Sequence, residues 1–357
     1  MRCGLDRPAA NTFRLRRILR SRLAATALFL MDFLGINYLF SLKNRKSALI
    51  LWYHGVCDDD FRLLRGYDER HIPLSLFQKQ LSHLEQRGYQ FATMSQLMQR
   101  LAEKRHIGRL AVLTFDDGFR NVLRNAYPAM KARGAKGCLY VVSSLVGSRE
   151  LLWTDRVETA VREHKSDLFT FHFNGEEIRY ELSDSDARAH AMKDMKSRLR
   201  SIPDGERNKQ MSQFRQPDHA PAEFMLCDWE ELRCLDRNFL EIGSHTRTHP
   251  NCENLESDES LDDEIVKSKA DIEQQMGYPV PHFNYPAGSY DDRVITWVNR
   301  AGYGSAVTTN PGLIDAGAKR FELKRIGVNE NFLLFKSMVS GSFFFLRNLM
   351  RFFGAST

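Results

Sequence analysis

The sequence predicts an α/β fold in which a parallel sheet closes, or nearly closes, into a barrel. Three observations carry this. Short apolar runs alternate with helical patterns along most of the chain, and neighbouring parallel strands need such crossovers. Four strand candidates end in chemically unusual residues: His54, Asp116 with Asp117, His245 with His249, and Pro286 with Gly288. In (β/α) barrels the strand C-termini share the face that carries the active site, so one sheet would gather these groups. Finally, 357 residues, 43% of them hydrophobic, suffice for one large barrel or two small domains.

In order, Ala48–Tyr53 reads as the first barrel strand, ending on His54. Helix 74–87 places Leu76, Leu81 and Leu84 on one face, and is followed by strand 89–91 and helix 94–103. The apolar run 110–115 is a buried strand, and Gly118 then releases the chain into a helical pattern from 119 to 133. Residues 137–142 form the next buried strand. From 146 to 223 polar residues dominate and 169–180 alternates like a hairpin, which marks an insertion at the barrel mouth. Barrel order resumes with helix 228–236 and strand 239–242, then helix 261–276 and strand 282–285. Helix 292–301 and strands 303–308 and 321–328 complete the domain, 48–330.

The ends differ from this body. Residues 1–48 carry ten Lys/Arg against Asp6 and Asp32, a balance of +8, and 331–357 add +3. The whole chain is +6, so the central part is about −5 by subtraction. A nucleic-acid groove would need the opposite distribution. Basic ends suit an anionic membrane surface. Leu23–Leu42 is apolar over 20 residues but broken by Asp32, Gly35, Asn37 and Tyr38, with Lys43, Arg45 and Lys46 next. It reads as an interfacial segment, a signal anchor or a helix packed on the barrel. With no evident cleavage site, residues 1–47 are expected to stay attached at the cytoplasmic face of the inner membrane, or to anchor a periplasmic enzyme. The tail, 331–357, is an apolar and basic helix that either completes the core or meets the membrane. Six scattered cysteines without a C-x-x-C pair provide neither a zinc ribbon nor a disulfide framework, which fits a reducing compartment.

Two adjacent carboxylates at the end of a buried strand repel each other and call for a cation. Alone, Asp116-Asp117-Gly118 would also suit a helix-capping turn. The second cluster, Ser244-His245-Thr246-Arg247-Thr248-His249-Pro250, puts two imidazoles four residues apart behind another apolar run. Together they offer a three-ligand site, Asp117, His245 and His249, with coordination left open, the pattern of a catalytic metal. Two nitrogens and one oxygen suit Zn²⁺ and also accept Co²⁺, Ni²⁺ or Mn²⁺. The metal would acidify water, and Asp116 would take the proton as general base.

Thr114-Phe115-Asp116-Asp117-Gly118 and the Ser244–Pro250 run resemble the polysaccharide deacetylase (NodB-homology) family of carbohydrate esterases, over about Ala48 to Val328. The resemblance implies a distorted, often incomplete (β/α) barrel that removes acyl groups from sugars with a divalent metal, commonly zinc. It assigns Asp116 as base and Asp117, His245 and His249 as ligands. The third family motif, Arg-x-Pro-Tyr, is matched by Asn284-Tyr285-Pro286-Ala287, so its arginine is missing and the oxyanion amide would be that of Ala287. The late Leu-x-Leu-His motif is also absent, since Phe321-Glu322-Leu323-Lys324-Arg325 ends without histidine. Trp52-Tyr53-His54 resembles circularly permuted members such as poly-N-acetylglucosamine deacetylases, which makes His54 the candidate acid. Trp153 and Asp155 are candidate substrate contacts. The implied substrate is an N-acetylated sugar polymer of the bacterial envelope or exopolysaccharide. A polyprenyl-linked aminosugar and a sugar-binding pseudo-enzyme are the alternatives.

Overall fold

The structure, a computed structural model, describes residues 25–60, 70–217, 221–328 and 330–352. The arginine-rich stretch 1–22 lies outside the described residues. Two compact units result, Lys46–Glu330 and a smaller one from Met1–Arg45 with Asn331–Thr357.

In the larger unit the strands are β1 (Leu49–Tyr53), β2 (Gly55–Cys57), β3 (His71–Pro73), β4 (Gln90–Phe91), β5 (Leu110–Phe115) and β6 (Gly137–Val141). They continue as β7 (Leu168–Phe173), β8 (Glu176–Glu181), β9 (Leu240–Ser244), β10 (His282–Asn284), β11 (Ser305–Pro311) and β12 (Leu323–Gly327). The main sheet runs β1-β12-β11-β10-β9-β6-β5, and β5 pairs with β1 again, so seven parallel strands close a barrel with β4 as an appendage on β5. It is distorted as expected: β9 and β10 share only the pair Ser244–Phe283, and the β11–β12 register slips between Val307 and Pro311.

The strands are buried runs, as parallel strands covered on both faces must be. Ile50, Val112, Tyr140, Val307 and Leu323 come from five strands into one cluster that fills the barrel. Counting by twos from Val112 along β5 puts Thr114 and then Asp116 on this same interior face. The next residue would point outward, but Asp117 has φ 72°, a left-handed backbone that breaks the alternation and keeps both carboxylates at the barrel mouth.

Two expected helices carry widened turns. The 119–133 pattern opens with a π segment, Val122–Ala126, before helix Tyr127–Ala132, because Pro128 has no N–H to donate backwards. Helix 261–276 contains a π segment, Asp262–Lys267. The insertion has its own core, with Val157, Phe171, Met195, Leu199 and Phe214 packed beneath the β7–β8 hairpin. It leaves the barrel after β6, on the rim where the strands end.

The smaller unit joins helices Ala25–Phe33 and Ile36–Lys43, bent by 71° at their break, to Phe332–Ser340 and Ser342–Phe352. The apolar stretch read as one segment is thus two helices, parted at left-handed Gly35. The tail, read as one helix, is likewise two, broken at Gly341 (φ 86°), and they cluster with the N-terminal pair. Among the described residues no single helix is long and apolar enough to cross a membrane.

Barrel closure depends on one close approach. A Cβ on Gly137 would lie 1.9 Å from the Leu113 carbonyl oxygen, inside the β5–β6 ladder. Gly137→Ala should therefore destabilise the protein by about 1–3 kcal/mol in denaturant unfolding. Gly205→Ala, in a helix with nothing nearby, should change it by less than about 1 kcal/mol.

Candidate metal and active site

Asp117, His245 and His249 converge at the barrel mouth, with ligand atoms within 4.8 Å of one another. Nε2 of His245 and Nε2 of His249 each lie 3.4 Å from the same Asp117 oxygen, Oδ1. A tetrahedral ion with bonds of about 2.0–2.1 Å holds its ligands roughly 3.4 Å apart, so this spacing fits a metal such as zinc. The donor chemistry fits too. His245 Nδ1 faces the Asn284 carbonyl at 2.9 Å, to which it can only donate, which in the neutral ring turns the Nε2 lone pair toward a carboxylate oxygen. Two lone pairs in that position call for a cation between them. Burial pushes the His249 imidazole down to about 3, against the pull of Asp117, so it is neutral as a ligand must be. Asp117 is lowered: its three histidine neighbours more than offset the effect of burial.

The loop bearing the histidines is shaped by strain and by one carboxylate. Thr246 and His249 are left-handed, at φ 66° and 64°, and the His249 N–H donates to Thr246 Oγ1. Glu264 accepts from the N–H groups of Arg247 and Thr248, both at 2.9 Å, and from the Thr248 hydroxyl at 2.6 Å. It sits in the π segment, and π turns often mark functional sites.

Asp116 is buried inside the barrel. Burial raises its carboxyl, but the Arg325 guanidinium, helped by His245 and His54, outweighs this and holds it below the usual carboxylate range. Arg325 comes from β12 and is itself 1% exposed. It donates to both Asp116 oxygens, at 2.7 and 2.9 Å, and its remaining N–H groups meet Thr114 Oγ1, Asn284 Oδ1 and the Thr308 carbonyl. All five donors of the fork are used. The task left open by the missing motif arginine therefore falls to Arg325, with Asn284, at the vacated position, bracing it. The sequence did hold a signal: Arg325 shares the face of Leu323 on a buried strand, where an arginine needs a carboxylate partner.

The other expected residues spread over two layers. His54 points into the site, its Nε2 3.9 Å from Asp117 Oδ2, the oxygen turned away from the other histidines. Arg70, which sequence reasoning missed, reaches the same oxygen at 3.8 Å and binds Asp155 and Glu158. Asp155 is fully buried and meets the site through Arg70. Trp153 packs in the insertion core and donates to the His249 carbonyl at 3.2 Å, tying the insertion to the ligand loop. Tyr285 is a core side chain whose hydroxyl donates to the Phe321 carbonyl. Pro286 is buried, and Ala287 turns the loop at φ 54°.

The Asp116–Arg325 pair can be tested by a double-mutant cycle. Arg325→Met strands a buried carboxylate and should cost about 3–5 kcal/mol of stability. Adding Asp116→Asn should recover a large part of that loss, as read from denaturant midpoints. Equal losses in the single and double variants would mean that the guanidinium serves only Thr114, Thr308 and Asn284.

A family model described as polysaccharide deacetylase matches residues 103–306. YxkH of Bacillus subtilis (strain 168), named as a polysaccharide deacetylase, is 20% identical over 291 residues, covering 81% of this chain and 74% of its own. Among solved structures, the Streptococcus pyogenes deacetylase PplD, in complex with acetate, matches with a TM-score of 0.56 at 19% identity, over 82% of this chain and 98% of that one. IcaB from Ammonifex degensii gives 0.53 at 18% identity, over 83% and 96%. These two likenesses speak to the fold; the family model, which spans more than half of the sequence, speaks to kinship, and the chain belongs to the polysaccharide deacetylase family.

Proposed function

We propose that the protein is a metal-dependent hydrolase that removes N-acetyl groups from an N-acetylated sugar, in a polymer or glycolipid of the bacterial envelope or an exopolysaccharide. One observation carries the reading: the three convergent ligands lie beside a buried carboxylate that has its own arginine. A sugar-binding module has no need of an ionised base, and burying one is costly.

Asp117, His245 and His249 would hold the ion, with zinc favoured by the two-nitrogen, one-oxygen set. Once bound, the ion would acidify water and polarise the acyl oxygen. Asp116 accepts the proton from the attacking water. Its carboxylate has lone pairs to spare after Arg325 takes two, and the guanidinium keeps it ionised. The Ala287 amide would donate to the developing oxyanion. His54 then protonates the departing sugar nitrogen, a very basic leaving group that needs an acid near neutrality.

Two outcomes are expected. His249→Ala should lose bound metal and turnover together while its far-ultraviolet circular dichroism stays unchanged; metal-stripped protein should be inactive and regain turnover with added zinc. Full turnover without metal would end the reading. His54→Ala should keep its metal yet lose about 10²–10⁴-fold on an acetamido sugar, and much less on an activated acetyl ester, whose leaving group needs no proton. Equal losses on both would make His54 structural.

A further inference from the structure

We propose that the two ends of the chain form a single monotopic membrane module that sinks into one leaflet of an anionic bilayer without crossing it. The observation is a partly inverted distribution of polarity: Met31, Phe335 and Val339 are buried, but so are polar side chains. Inside the smaller unit, Asn37, Ser41, Ser337, Ser340 and Ser342 are buried. Ser342 Oγ donates to Asn37 Oδ1 at 2.7 Å, Asn44 Nδ2 donates to the Ser340 carbonyl at 2.8 Å, and Lys336 pairs with Asp32 at 2.6 Å. These contacts bind the N-terminal helix pair to the C-terminal one.

The outside is apolar. Phe33 is 75% exposed, Leu34 64% and Leu39 62%, with Phe29, Leu42 and Phe345 also open. In water such a surface is unfavourable, since helices turn their apolar stripe inward. A lipid environment reverses that preference: polar and charged side chains pair inside, and large apolar ones face the acyl chains.

Geometry decides between spanning and sinking. Ala25–Phe33 and Ile36–Lys43 rise about 13 Å and about 12 Å at 1.5 Å per residue. Each is less than half of a hydrocarbon core about 30 Å thick. They are bent by 71°, so their lengths do not add into one straight span of the core. Charge names the lipid. Lys43, Arg45 and Lys46 follow the apolar face directly, and Arg14, Arg16, Arg17, Arg20 and Arg22 precede it in sequence, complementing anionic headgroups. The inference is independent of the chemistry proposed above.

The test is flotation of the full chain with vesicles of phosphatidylcholine, alone and with phosphatidylglycerol. Binding should be stronger with phosphatidylglycerol, and a bound fraction should persist in 1 M salt, which screens charge but not apolar burial. Phe33→Asp and Leu39→Asp should each weaken partitioning by about tenfold with no fall in unfolding temperature. Single cysteines replacing Ala25 and Lys43, with Cys3 and Cys234 changed to serine, should both react with a membrane-impermeant maleimide added outside. Protection of one of the two would indicate a span and overturn the proposal. Absence of flotation, or flotation indifferent to both aspartates, would overturn it as well. So would a lipid-free dimer that the same substitutions split, because the face would then belong to a second copy.

Discussion

The carboxylate of Asp116 and the guanidinium of Arg325 lie inside the barrel, and taking two such ions out of water costs several kcal/mol for each. Geometry offsets that cost. Every N–H of the fork has an acceptor, and those acceptors come from Thr114 on β5, Asn284 on β10 and Thr308 on β11 as well as from Asp116. The same group that keeps Asp116 ionised thus braces strands from both sides of the ring. The guanidinium carbon lies over the Trp52 ring, 5.0 Å from its centroid.

The metal candidates depend on this frame through Asn284. Its side chain receives Arg325 and its carbonyl receives His245, so one residue links the partner of Asp116 to a candidate ligand. The ligand loop is then clamped from outside by Glu264 and by Trp153 of the insertion. Left-handed backbone at Asp117, Thr246 and His249 stores strain where the ligands are presented. Such strain persists when surrounding hydrogen bonds over-determine the conformation, and here they do.

The two units differ in what they expose. The barrel and its insertion bury apolar side chains in the ordinary way, and buried charges such as Asp116 and Glu158 have partners in Arg325 and Lys196. The smaller unit buries serines and an asparagine beside Met31, Phe335 and Val339, and leaves Phe33, Leu34 and Leu39 outside. The same physical chemistry accounts for both arrangements if the smaller unit meets lipid, as proposed above.

The sequence alone determined what is local. Apolar runs ending in Asp116-Asp117-Gly118 and in His245–His249 revealed strand ends, ligand types and the face they share, because strand periodicity and ligand chemistry are written in consecutive residues. Tertiary structure decided what depends on partners far apart in the chain. Arg325 stands 209 residues from Asp116, and only the closing of β12 onto β1 and β11 brings it inward. The pairing of the two termini is likewise invisible locally, since Asp32 and Lys336 are 304 residues apart. Ring closure and partner choice are set by register across strands and helices, and a linear pattern carries no register between distant segments.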